Sequence, residues 1–201
     1  VSNSLRFGPL SPQTVHLCVD MQNLFYEKTP WHLRWMERVL PAVVRLAERQ
    51  PERTVFTRFI PPDNPEDAPG AWQRYYAHWR EFTRERLEPR LLELVPPLAR
   101  LAPPALVVDK RVYSAFAAPG MGEALRRQRA DTVIVSGVET DVCVLASVLG
   151  AVDRGLRVVI ALDAICGSAD ETHDALLTLY RQRFSQQIET AASEEILDAW
   201  S

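Results

Sequence analysis

Valine-rich apolar runs recur along the chain, separated by segments whose apolar positions follow helical spacing. The first run, residues 14–20 (TVHLCVD), predicts a strand, and a helix is expected over about 39–49. Pro41 is expected in that helix's first turn, where its missing N–H does no harm. Residues 53–59 (RTVFTRF) predict a second strand, and a proline-rich stretch at 61–70 leads to a helix over 71–83. Further strands are expected at 105–110 (ALVVDK), 131–137 (DTVIVSG), 156–162 (LRVVIAL) and 187–190. Helices at about 121–128, 141–154 and 170–183 separate them, and a helical turn ends the chain.

Continuous apolar strands alternating with helices indicate a mostly parallel sheet covered on both faces, a three-layer, doubly wound, Rossmann-like α/β fold. There is no internal repeat. The 201 residues are expected to form a single domain, with residues 61–104 as an excursion over the sheet edge or the mouth of a site.

Composition narrows the picture by exclusion. A net charge of −3 argues against a nucleic-acid partner or an anionic membrane surface. No run of eighteen apolar residues offers a membrane span. The opening, residues 1–12, lacks the layout of a secretion signal, although the chain starts on Val1 rather than Met. Three cysteines without paired spacing suggest neither disulfides nor a zinc site, so a reducing cytoplasm is expected.

Ligands in open parallel sheets bind beyond the carboxyl ends of the strands. There the first strand ends in Asp20, the third in Asp109-Lys110, and the fourth in the turn that runs to Cys143. With Thr140 as N-cap, Cys143 would sit one turn inside its helix. Exposed N–H groups, the helix dipole and Lys110 would then favour a thiolate. Asp20 could take the thiol proton and return it to a leaving amine. A cysteine near a helix start can equally be a packed small hydrophobe, Asp20 a strand-end cap and Lys110 a surface cation. Their convergence at three strand ends favours chemistry.

These residues also carry a resemblance. Val19-Asp20-Met21-Gln22-Asn23, Lys110-Arg111-Val112-Tyr113-Ser114-Ala115-Phe116 and Gly137-Val138-Glu139-Thr140-Asp141-Val142-Cys143-Val144 together resemble the isochorismatase-like cysteine hydrolase superfamily. That group includes nicotinamidases and several amidohydrolases. The resemblance implies Asp20 as acid/base, Lys110 as the cation beside the thiol and Cys143 as nucleophile. It further implies a cis peptide between Val138 and Glu139 and an oxyanion hole from the N–H groups of Glu139 and Cys143. A homo-oligomer is implied as well.

Two departures from the family pattern matter. Phe59 and Pro61 stand where the nicotinamidase-like members carry metal ligands, and His16, His32, His78 and His173 show no ligand-like spacing. No metal and no cofactor are therefore expected, which argues against nicotinamide as substrate. Leu24 stands where relatives often carry an acidic residue, with an expected effect on local packing more than on chemistry.

For the substrate pocket the candidates are Phe25, Arg58, Trp72, Tyr113 and Phe116. Arg58 could clamp a carboxylate or pair with a surface acid. Trp72, Tyr75, Tyr76 and Trp79 share one helix face, which serves core packing, a subunit interface or an aromatic wall. Cys18 in the first strand and Cys166 in the loop after the fifth are expected to be packed thiols, and His173 structural or at the surface. The leading expectation is a hydrolase of small amide, ureido or carbamoyl C–N bonds. The alternatives are vinyl-ether hydrolysis of the isochorismatase type and a silent binding or thiol redox protein on the same fold.

Overall fold

The computed structural model describes residues 5–200. The expectations that touch residues 1–4 and 201 lie outside the described residues. In chain order the elements are β1 (Thr14–Val19), α1 (Asn23–Tyr26), α2 (Met36–Arg49), β2 (Thr54–Phe59), α3 (Ala71–His78) and α4 (Pro96–Ala99). There follow β3 (Leu106–Lys110), α5 (Pro119–Arg127), β4 (Thr132–Val138), α6 (Leu145–Val152), β5 (Arg157–Cys166), α7 (Asp170–Gln182), β6 (Ile188–Ala191) and α8 (Ser193–Ala199).

The six strands form one sheet in the order β3-β2-β1-β4-β5-β6, and every pairing is parallel. The chain winds outward in one direction through β2 and β3, then returns to start β4 beside β1. The crevice beyond the ends of β1 and β4 is thus the switch point of the sheet.

Period-two alternation divides each central strand between two cores. Cys18, Ile134, Val138, Val159 and Ala161 face one apolar cluster with α2, α8 and much of the 61–104 excursion. Val15, Leu17, Val19, Val133, Val135, Val158 and Ile160 face the other, with α5, α6 and α7. Burial on both faces explains why these strands read as continuous apolar runs.

Several boundaries differ from the sequence expectation. Helix α2 starts three residues early, so Pro41 falls in its second turn. That is tolerated because Pro41 and Glu37 lie on the exposed side, where an unpaired carbonyl meets water. The helix expected over 71–83 stops at His78, because Trp79 leaves the helical region (φ −101°, ψ 46°) before a short 3-10 turn at Arg80–Phe82. Strand β5 continues to Cys166, which pairs with Val138. Cys166 therefore ends a strand rather than lying in a loop.

Candidate active site

Asp20 follows β1 in the left-handed region, φ 51°, a conformation aspartate tolerates better than most residues. Its carboxylate is wholly buried and held from two sides. Thr57 of β2 donates from Oγ1 to Oδ1 at 2.6 Å, while the Asp20 N–H donates back to Thr57 Oγ1 at 3.1 Å. The Lys110 ammonium at the end of β3 lies 2.6 Å from Oδ2. Strand β2 intervenes between β1 and β3, so the long lysine side chain is what bridges the gap. Lys110 also donates to the Val112 carbonyl at 3.1 Å, and its Nζ lies 5.0 Å from the centre of the Phe59 ring.

Gln22 fixes the floor of this region. Its Oε1 accepts from Phe59 N–H at 2.7 Å, and its Nε2 donates to the carbonyls of Phe59 (3.1 Å) and Leu92 (2.8 Å). The end of β2 and a later segment of the excursion are thereby tied to the end of β1.

Gly137 near the end of β4 brings the third element in. Its φ is +107°, and a Cβ there would lie 2.1 Å from the Val19 carbonyl oxygen. Only glycine permits the two strand ends to approach this closely. The next peptide bond but one, between Val138 and Glu139, is cis.

The chain then enters a π-helical turn at Thr140–Val144 that leads into α6. Its N-cap is Glu139, not Thr140 as the spacing suggested. The Thr140 hydroxyl is instead engaged with His173 Nδ1 at 2.8 Å, which gives His173 a structural tie across to α7.

Cys143, 7% exposed, closes the group. Burial pushes its thiol pKa well above the ordinary range, and the Asp20 charge adds to that, while Lys110 opposes it. The expected resting thiolate is thus not favoured: a second buried anion beside Asp20 would face only one cation. Burial disfavours the charged form of Lys110, but Asp20 and Cys143 outweigh it and its pKa is raised. Lys110 is thereby favoured as an ammonium, and burial favours the neutral thiol of Cys143.

Above Cys143 opens a cavity of about 380 Å³. Phe25, Trp31, Phe59, Tyr75, Trp79 and Tyr113 supply its aromatic wall, and Glu139, Val142 and Ser168 its rim near the thiol.

Residues 14–192 match the Isochorismatase domain family. The chain belongs to that family. Among curated relatives, this isochorismatase-family chain is 27% identical over 108 residues to maleamate amidohydrolase of Pseudomonas putida, covering 54% of this chain and 49% of that protein. The chain spans about half the length of the curated relatives it matches. Similar solved structures include a cysteine hydrolase from Pseudomonas syringae pv. phaseolicola, with a TM-score of 0.82, 22% identity, and 98% and 96% of the two chains covered. A nicotinamidase from Bacillus subtilis aligns with a TM-score of 0.72 at 22% identity over 88% and 98% of the two chains. Both likenesses bear on the fold.

Within this isochorismatase-family fold, Asp20, Lys110 and Cys143 come together, and Phe25 and Tyr113 line the cavity above them. Arg58 does not. Its guanidinium forms a double hydrogen bond with Asp109 (2.8 and 3.0 Å) and reaches Glu93 at 2.6 Å. Asp109 is its register partner on β3, so the surface-acid alternative holds.

Phe116 is also misplaced as a pocket residue. It packs against Gly150 of α6, where an added Cβ would meet its ring at 2.9 Å. Trp72 lies one layer behind the wall, 4.8 Å from Tyr113 ring to ring. Its helix face is split: Tyr76 is buried in the core, whereas Tyr75 and Trp79 line the cavity.

Thr57, Trp31 and Ser168 had not been expected at the site. Among the described residues, no group of three or more His, Cys, Asp or Glu side chains is placed to hold a metal ion. No helix among them is long and apolar enough to cross a membrane.

Proposed function

We propose that this chain is a cysteine amidohydrolase that cleaves the C–N bond of a small amide, ureido or carbamoyl compound through a thioester on Cys143. The observation that carries this reading is the buried Asp20–Lys110 pair set against the Cys143 thiol at the bottom of an aromatic cavity.

The electrostatics suit the chemistry. Moving the proton from Sγ to Asp20 turns one buried anion into another while Lys110 stays charged, so the net charge of the trio does not change. The thiolate forms only as it attacks the substrate carbonyl carbon. The N–H groups of Glu139 and Cys143 would receive the oxyanion. Asp20 then passes its proton to the departing nitrogen as the C–N bond breaks, leaving a thioester and releasing ammonia or an amine. Water attacks the thioester, Asp20 accepts its proton, and the acid leaves as Sγ regains a proton.

The same reading is metal-free. Phe59 presents a ring to Lys110 where a metal-binding relative would need a ligand. The test is incubation with a panel of primary amides and carbamoyl compounds, scored by ammonia release and by mass spectrometry of Cys143. The expectation is turnover, with an acyl adduct of the native protein that Cys143→Ala abolishes. No adduct and no turnover with any amide would sink the reading.

A further inference from the structure

A second cavity, of about 500 Å³, lies in the layer of α5 and α6 and shares no lining residue with the one above Cys143. Ala130 and Leu156 of its lining stand just before β4 and β5, so it opens at the amino-end rim of the sheet. Phe116, Leu125 and Leu156 give it apolar surface, and Arg126, Arg129 and Arg154 give it charge. Among the described residues, no acid lines it.

Neither Arg126 nor Arg129 is paired with a carboxylate among the described residues. Of the acids nearby in the chain, Glu123 is engaged with Arg127, Asp131 accepts from Ser11 Oγ at 2.6 Å, and Asp153 lies outside the lining. Arg154 is held in place by its own fork, which donates to the carbonyls of Gly150 (2.9 Å) and Phe116 (3.3 Å). Its guanidinium sits 4.7 Å from the centre of the Phe116 ring.

Arg126 and Arg154 complement the carbonyl ends of α5 and α6, each equivalent to about half a negative charge. Three guanidiniums exceed that need and leave a surplus of about two positive charges. Arg129 is the informative position. It takes the left-handed place after α5 (φ 51°), with its N–H donated to the Arg126 carbonyl and the Ala130 N–H donated to that of Leu125, both at 3.0 Å. Glycine is the usual residue there, because a side chain strains left-handed backbone. The helix end alone would be better served by glycine, so the arginine side chain calls for another reason.

We propose that this cavity binds the phosphoryl group of a small molecule whose body is apolar. Guanidinium forks match the oxygens of a phosphomonoester, and its double charge answers the surplus. The apolar surface beside the arginines receives the body. The site is independent of amide hydrolysis at Cys143 and stands whichever substrate Cys143 attacks.

Phenyl phosphate, inorganic phosphate and phenol are titrated calorimetrically into the native protein at low salt and about pH 7.5, where a phosphomonoester is mostly a dianion. Phenyl phosphate is expected to bind at least about tenfold more tightly than either of its halves. Arg126→Gln and Arg129→Gly should each weaken it about tenfold or more. Arg129→Gly should melt no lower than the native protein, since glycine relieves the left-handed turn, so its lost affinity would not reflect lost structure. Arg86→Gln, outside the lining, controls for net charge and should leave the affinity unchanged.

Affinity that survives both groove variants, equal affinity for inorganic phosphate, or no binding of phenyl phosphate at millimolar concentration overturns the proposal. Sedimentation showing native dimers that both variants dissociate would also overturn it, by assigning the arginines to contact between copies.

Discussion

Lys110 Nζ and Asp20 Oδ2 lie 2.6 Å apart with both side chains out of solvent. Such a pair adds little net stability over an apolar replacement, but removing one partner leaves an uncompensated buried charge. Lys110→Met should therefore destabilise the protein by about 3–5 kcal/mol. It should also abolish turnover, because the proton of Cys143 would then have to move without a cation nearby. Urea unfolding monitored beside ammonia release checks both effects. A variant that is fully stable and active would show that the pair does neither job.

Thr57 holds Asp20 without touching the cavity, and is a positioning residue. Thr57→Val removes the donor to Oδ1, a bond worth about 1 kcal/mol or somewhat more because the acceptor is charged. With that support gone, the carboxylate should protonate more readily. The expected result is a fall in kcat of about tenfold and an upward shift of the acidic limb of the pH–kcat/KM profile. Thr57→Ser should restore both. An unchanged profile would assign Thr57 a packing role only.

The strand ends were readable because Asp20 and Lys110 close largely apolar runs and Cys143 lies in the turn after a third, and a parallel sheet must deliver those ends to one rim. Asp20, Lys110 and Cys143 could be named on that ground. Thr57 could not, since its partner emerges only from the lateral registry of β2 against β1. Registry also decides Arg58, which stands opposite Asp109 on β3 and is neutralised there. Trp31 lies in a turn with no periodicity, so nothing in the chain signals that it becomes the centre of the cavity wall. The protonation of Cys143 is hard to read from sequence for a different reason. Helix position and a nearby lysine argue for a thiolate, but burial beside Asp20 raises the thiol pKa more than Lys110 lowers it.

His16 makes stability depend on pH. It is fully buried in β1, engaged with Ser136 Oγ at 2.7 Å, and burial lowers its pKa from 6.5 to about 3. The native state therefore holds a neutral ring over a range in which the unfolded chain binds a proton. Stability is retained above 6.5 and lost as pH falls from there towards about 3, with a limiting slope of about 1.4 kcal/mol per pH unit. His16→Gln cannot titrate. Between pH 7 and pH 5, the native protein should lose about 2 kcal/mol more than this variant in urea unfolding. Parallel curves for the two proteins would refute the assignment.

Gly137 gives the sharpest test of how the site is assembled. A methyl group there would meet the backbone of Val19 at 2.1, 2.6 and 2.8 Å, and no rotamer change can relieve a clash with backbone. The positive φ adds a second penalty for any side chain. Because Val19 precedes Asp20 and Gly137 precedes the turn to Cys143, the strand ends must part if the methyl is to fit. Gly137→Ala should thus lose activity beyond detection and melt several degrees lower. A further distinction follows from the geometry: a folded remnant of this variant should have Cys143 more readily alkylated, since separation of the strand ends lets water reach the thiol and relieves the burial that keeps it protonated. Native-like melting together with unchanged alkylation would mean that β4 accommodates the methyl, and that the close approach to Val19 is not what brings the thiol to Asp20.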